Sequence, residues 1–250
     1  LKKKRNSMKV TILTVAYNCG DTIATAIESV LNQTYTNIEY LVIDGLSEDN
    51  TVEIATSYAP KFFEKGFTMK VISEPDKGMY DALNKGVNLA SGELIGNINA
   101  DDWYEPNAVE EMVRLYEKEN YDLAWADLRI IKSTGNMIKK AHVGKLWTTA
   151  GFCHPTMFSK REVLLELPYA CEQMDDDFEM VLRAHKAGKK IITLNKVLAN
   201  YRFGGMSTTK SVKDSVKRVK MKYATYRKLG YSRFYWLYCV AIETAKYILG

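Results

Sequence analysis

The chain has 250 residues, 46% hydrophobic and 26% charged, the make-up of a globular protein with one large core or one and a half domains. Its net charge of +5 is unevenly spread: residues 1–9 hold five Lys/Arg and no acid, residues 210–250 carry +8, and residues 10–209 carry −8. A nucleic-acid binder usually bears its basic face on the fold itself, so this pattern argues against one and for an acidic body whose ends meet an anionic surface.

Residues 9–17 are rich in β-branched side chains and predict a first strand. Asp21 is placed to cap a helix whose apolar face is Ile23, Ile27, Val30 and Leu31. Residues 38–43 predict a second strand ending at Asp44, with Ser47 or Asp49 capping a helix to about Tyr58. Residues 68–73 predict a third strand, residues 75–78 a turn, and residues 79–89 a helix. The apolar run 94–98 predicts a buried strand that leads into Asp101 and Asp102, and Pro106 opens the next helix. Strand and helix alternate over roughly the first 115 residues, which predicts an α/β fold with a doubly wound, mostly parallel sheet.

After Asn120 the rhythm changes. Residues 121–127 and 128–139 predict a hairpin around residues 133–136, residues 177–186 a helix and residues 189–194 a short strand. Residues 211–228 predict a basic helix and residues 234–249 an aromatic-rich one. The last contains Glu243 and Lys246 and falls short of the roughly 20 residues a bilayer span needs, so it reads as interfacial or packed on the body. The expected division is one domain to residue 209, in two halves at about 9–120 and about 121–209. A helical tail, 210–250, follows. Cys19, Cys153, Cys171 and Cys239 show no metal or redox spacing, which points to a reducing cytosol. The basic stretch 1–7 leads into strand-like sequence and supplies no signal-peptide core.

Parallel strands place their C-terminal ends on one edge, where open α/β sheets bind ligands. Asp44, Asp76, Asp101 and Asp102 all follow strands and are expected in one cleft. Adjacent acids repel, and a hard divalent ion that also meets phosphate oxygens relieves this. Lys77 and Lys85 lie in the second dense patch, 76–86, as counter-charges for phosphate. Asp175, Asp176 and Asp177 form a third cluster, in which neighbouring carboxylates raise one another's pKa as a general base requires. Each motif taken alone also fits a plain structural part: a cap, a solvated turn, or an acidic first helical turn.

Four segments in order resemble the motifs of family-2 glycosyltransferases with the GT-A fold. They are Val15-Ala16-Tyr17-Asn18; Ile43-Asp44-Gly45; Asp76-Lys77-Gly78-Met79-Tyr80-Asp81-Ala82 with Asn84-Lys85-Gly86; and Asn99-Ala100-Asp101-Asp102. The resemblance covers about residues 9–207. It implies a nucleotide-diphosphate-sugar donor, Mg2+ or Mn2+, and inversion at the anomeric carbon. Tyr17, with Val15, Ala16 and Asn18, matches the segment that stacks on the base, and Asp44 matches the acid at its edge. Asp76, Lys85 and Asp101 complete the implied nucleotide set. Relatives often carry two acids where this chain has Asp44-Gly45, so the base stays open, with uridine the first choice. Asp101 and Asp102 match the Asp-x-Asp motif with Asn99 in its first place. One implied role is metal ligation and the other ribose or metal-bound water, and their order stays open. His154 matches a histidine near diphosphate or metal. Asp177 matches the base and Asp176 its neighbour. Residues 201–207 resemble a lid, with Arg202 reaching for phosphate and Gly204 and Gly205 supplying the bend.

The expectation is therefore transfer of a sugar, from a UDP-sugar first, to a saccharide or lipid-linked acceptor in bacterial envelope polysaccharide synthesis. The expected place is the inner face of the cytoplasmic membrane, with the tail on anionic lipid or else serving as a packing or homodimer helix. A nucleotidyltransferase would show a Gly-rich phosphate loop after the first strand, which residues 16–22 do not supply. An inactive sugar-nucleotide-binding protein would have no need of Asp177. Trp103, Trp125 and Trp147 are candidates for sugar stacking, with core packing expected of at least two.

Overall fold

The computed structural model describes residues 8–145, 147–173, 175–204 and 211–249, so Gly205 of the expected lid lies outside the described residues. The first strand, β1 (Val10–Ala16), is buried along almost its whole length, as befits a strand covered on both faces. Helix α1 (Ile23–Leu31) turns Ile23, Ala26, Ile27 and Val30 into the core. Thr22, not Asp21, is its N-cap residue, and no side chain caps it. Strand β2 (Ile38–Asp44) lies parallel to β1, with Ala16 opposite Asp44. Helices α2 (Thr51–Ser57) and α3 (Ala59–Glu64) lead to β3 (Thr68–Ser73), parallel to β2. Neither expected cap serves α2: its N-cap residue is Asn50, with no side-chain cap, and Asp49 Oδ1 accepts the Thr51 N–H at 3.0 Å from one position further out.

Helix α4 (Met79–Leu89) packs on β1 and β2, and a Cβ on its Gly86 would sit 3.0 Å from Leu13. Strand β4 (Leu94–Asn97) is parallel to β1, followed by the two-residue β5 (Trp103–Tyr104) and by α5 (Ala108–Glu119). The expected hairpin is present as β6 (Leu123–Ile131) and β7 (Met137–Lys139). Strand β8 (Phe158–Lys160) runs antiparallel to both β4 and β6 and so inserts between them; α6 (Arg161–Glu166) and α7 (Asp176–Lys186) follow. The short strand expected at 189–194 is the start of a 12-residue strand, β9 (Ile191–Arg202), parallel to β6 and paired through Asn200 with Trp103. The sheet order is β3-β2-β1-β4-β8-β6-β9-β5, with β7 on β6.

The chain ends in α8 (Val212–Lys228) and α9 (Tyr235–Leu249), which pack on each other and on the body. Tyr226 stacks on Tyr235 at 4.2 Å and meets Phe178 of α7 at 6.4 Å. Glu243, only 1% exposed, pairs with Arg218 at 2.7 Å and Lys222 at 3.1 Å. No helix among the described residues is long and apolar enough to cross a membrane.

Candidate active site

The site lies where β1, β2 and β4 end and α7 begins. Two loops interlock first. Asn18 takes the left-handed conformation (φ 47°), its N–H donates to Ser47 Oγ, and its Oδ1 accepts from Glu48 N. The N–H groups of Cys19 and Gly20 donate to Thr51 Oγ1 and Asp49 Oδ2, and Ala16 O accepts from Gly45 N. Val15 and Ala16 end β1 inside this clasp, and Tyr17 projects from it, 65% exposed. A large aromatic held out of the core by a rigid loop is a stacking platform.

Asp44 is fully buried, and its carboxylate accepts from Ser47 N, Ser47 Oγ and Ser73 Oγ. The acid nearest the open side of this turn is Asp76: a Cβ on Gly45 would come within 2.5 Å of Asp76 Oδ2, while Oδ1 accepts from Gly78 N. The missing second acid of the turn thus leaves room that Asp76 fills from another loop. Lys85 is likewise engaged inside the protein, donating to Pro75 O and pairing with Glu74 at 3.1 Å and Asp81 at 3.7 Å.

The two acids after β4 differ in setting. Asp102 is fully buried; its Oδ1 accepts from Arg202 N at 3.0 Å and its Oδ2 from Asn99 Nδ2 at 3.3 Å. Burial, reinforced by Asp101, pushes its carboxyl up to about 7. Asp101 is half-buried, and its carbonyl accepts from Arg202 Nε. Arg202 also covers Trp103, 5.4 Å from the ring centre. Gly204 follows with φ 129°, a backbone state that suits glycine alone.

His154 stands apart from this pair. Its Nε2 lies 3.3 Å from Asn97 Nδ2 at the tip of β4, and its Nδ1 lies 3.6 Å from Asp177 Oδ2. The expected grouping of Asp101, Asp102 and His154 is therefore not assembled, and the described residues hold no cluster of three metal-ligating side chains. Burial lowers the proton affinity of His154, with the Asp177 charge opposing.

Asp177 starts α7 with its side chain 18% exposed, its Oδ1 on the Phe178 N–H and the Tyr80 hydroxyl bonded to its carboxylate. Burial raises its proton affinity and Asp175 adds to this, against His154 and the two donors. Asp176 turns the other way: fully buried, it accepts from Glu172 N and Gln173 N and shapes the preceding loop. Tyr80 lies inside the second motif patch without being singled out there, and Asn97 carries no functional signal of its own in the sequence. Only their places, one in the first turn of a helix and one at a strand tip, bring them to Asp177 and His154.

Trp125 is core, donating to Gly151 O, and Trp147 stacks on His185 at 4.0 Å.

Known structures share this fold. TarS of S. aureus, solved with UDP-GlcNAc, superposes with a TM-score of 0.70 at 16% identity, over 97% of this chain and 73% of that one. The mannosyltransferase PcManGT of Pyrobaculum calidifontis, solved with GDP-Man and Mn2+, gives 0.67 at 16%, over 98% and 76%. At such identities the likeness establishes the fold, which is GT-A. The chondroitin synthase of Escherichia coli is 29% identical over 90% of this chain, which spans 36% of that protein's length. Residues 11–174 match the profile described as Glycosyl transferase family 2, and the chain belongs to that family of glycosyltransferases.

Proposed function

We propose that the protein is an inverting glycosyltransferase that moves a sugar from a UDP-sugar to a saccharide or lipid-linked acceptor in polysaccharide synthesis. The observation that carries this reading is the link from Asn97 through His154 to Asp177, which sets a carboxylate of raised proton affinity beside the strand tip that leads to Asp101. Tyr17 stacks on the base, and Asp76 takes the place at the base edge that Asp44 does not fill. Asp177 removes the proton of the acceptor hydroxyl as that oxygen attacks the anomeric carbon and the bond to diphosphate breaks. The proton ends on the Asp177 carboxylate and the electron pair of the broken bond on the diphosphate. Tyr80 and His154 hold that carboxylate in line.

The residues fit a cation that arrives with the donor. Mg2+ and similar ions take one or two carboxylates and complete their shell with substrate phosphates and water, and Asp101, half-buried beside the buried Asp102, would supply one such carboxylate. Bound there, the ion neutralises charge on the departing diphosphate. Support comes also from the UDP-GlcNAc and Mn2+ of the two structural neighbours and from the polysaccharide named in the synthase relative.

Phe234 just before α9 and Leu237, Val240 and Ile248 on it are exposed, and α8 exposes Lys213, Lys217 and Lys220. Exposed apolar side chains on one tail helix and lysines on the other suit the boundary of an anionic bilayer, which would place the enzyme on the inner face of the cytoplasmic membrane.

The test is a thermal-shift screen of UDP-GlcNAc, UDP-Glc, UDP-GalNAc, UDP-GlcA and GDP-Man with Mn2+, followed by NMR of the product's anomeric configuration. A UDP-sugar should stabilise the protein in a metal-dependent way and give the inverted anomer. A retained anomer, or a shift with GDP-Man only, would overturn the reading.

A further inference from the structure

The first turn of α7 is held from the tail. Asp175 is its N-cap residue, yet its side chain caps no helix N–H. Its carboxylate goes to Lys222 Nζ of α8 at 3.0 Å. Lys222 is 6% exposed and also meets Glu243 of α9, which in turn holds Arg218. Two cations and two carboxylates from three helices thus balance one another in a mostly buried cluster.

Burying a lysine costs desolvation that an apolar residue of the same size would avoid, so ion pairs of this kind are poor sources of stability. What they supply is direction. A single ammonium placed between carboxylates on α7 and α9 fixes the distance from the hairpin to the residue two before Asp177.

The same hairpin grips the segment opposite. Tyr226 Oη donates to Trp147 O at 2.8 Å, Trp147 N donates to Tyr235 Oη at 3.1 Å, and Thr149 N donates to Tyr238 Oη at 2.8 Å. Lys139 Nζ then joins Thr149 O to Phe152 O, two residues before His154. Both walls around Asp177, its own helix start and the His154 segment, are therefore tied to α8 and α9.

We propose that Lys222 is a positioning residue for the general base: through Asp175 it fixes the first turn of α7 and so aims Asp177 at the acceptor hydroxyl. This rests on Asp177 being the base. It makes the C-terminal hairpin part of the catalytic unit, in addition to any contact its outer face makes with lipid.

The test uses the full chain and the UDP-sugar that performs best in the donor panel. Asp175→Asn, whose side chain is 29% exposed and whose fold should survive, is compared with Lys222→Met, Lys222→Arg and Asp177→Asn. Asp175→Asn and Lys222→Met should each lower kcat at least tenfold with donor KM within twofold. Lys222→Arg should recover part of the loss. The double variant should be no worse than the weaker single one. Amide exchange over residues 175–179 should quicken at least tenfold in Lys222→Met. Full kcat in Asp175→Asn and Lys222→Met beside an inactive Asp177→Asn overturns this proposal and leaves the base reading standing. Multiplying losses in the double variant, or kcat and KM moving together with melting, also overturn it. Full turnover in Asp177→Asn brings down the base reading and this proposal with it.

Discussion

The backbone N–H of Arg202 donates to Asp102 Oδ1 at 3.0 Å, joining the tip that follows β4 to the end of β9 across 100 residues of sequence. The bond closes over a carboxyl that burial has pushed from its ordinary 3.8 to about 7. Folding therefore takes up a proton at Asp102. The stability this brings is complete below about pH 4 and is lost as pH rises through about 7. Asp102→Asn keeps an acceptor for Arg202 and cannot ionise. Relative to it, the natural protein should lose stability between pH 4 and 8, by on the order of a few kcal/mol. Denaturant titrations across that range should show the two curves diverge, and parallel curves would refute the effect.

Tyr17→Ala should weaken donor binding without touching the fold. The ring is 65% exposed, so its loss from the free protein should change stability by about 0.5 kcal/mol or less. Lost stacking on a base is worth about 1–3 kcal/mol, or roughly a fivefold to hundredfold rise in Kd. Calorimetric titration with UDP measures it, and an unchanged Kd would remove Tyr17 from the site.

Asp101→Asn should abolish the Mn2+-dependent part of the thermal shift given by a UDP-sugar. Asp101 is half-buried, and Asn keeps its size. The melting temperature of the unliganded protein should therefore hold. A metal-dependent shift that survives would move the cation elsewhere.

Asp177 and Asp176 should separate cleanly. Asp177→Asn should lower kcat by a factor on the order of 10² or more at constant donor affinity. Asp176→Ala strands the N–H groups of Glu172 and Gln173 and should cost about 1–3 kcal/mol of stability, with kcat per folded molecule changed far less. Single-turnover rates set beside melting curves make the distinction. A dead, fully stable Asp176 variant would shift the base by one residue.

Acidic side chains introduced on the outer face of α9 should separate lipid binding from catalysis. Leu237→Glu and Ile248→Glu alter side chains that are 67% and 71% exposed. Together they should release the protein from vesicles containing a third phosphatidylglycerol while leaving turnover on a soluble acceptor intact. Undiminished co-sedimentation would exclude this face as the contact.

Local pattern made much of the fold legible. Ile23, Ile27 and Val30 declare one face of α1, and the apolar-rich, β-branched runs of β1, β2 and β4 declare buried parallel strands. Short or polar elements left no such mark: β5 has two residues, β8 three, and the end of β9 is Asn200-Tyr201-Arg202. In the candidate site, residue type singled out the loops but not the direction of each side chain. Asp44 and Asp102 face inward because serines or an Arg202 N–H wait for them there, and Asp76 fills space left by Gly45. The charge of the tail showed in the sequence. The partners that bury Lys222 and Glu243 depend on three helices meeting, which no local pattern records.

The insertion of β8 between β4 and β6 sets a clock on biosynthesis. Strands β1 to β4 leave the ribosome first and can pair at once, since their partners are all upstream of residue 98. The free edge of β4 then waits for a partner roughly 60 residues later, about 3–12 s at ordinary elongation rates. During that interval a run of unpaired N–H and C=O groups is open to any strand that arrives. When β8 comes, Phe158 must settle over Gly96, where a Cβ would stand 2.7 Å from its ring. A single methyl group at residue 96 would thus act on the nascent chain before any sugar is bound, and its cost would be counted in yield, not in turnover.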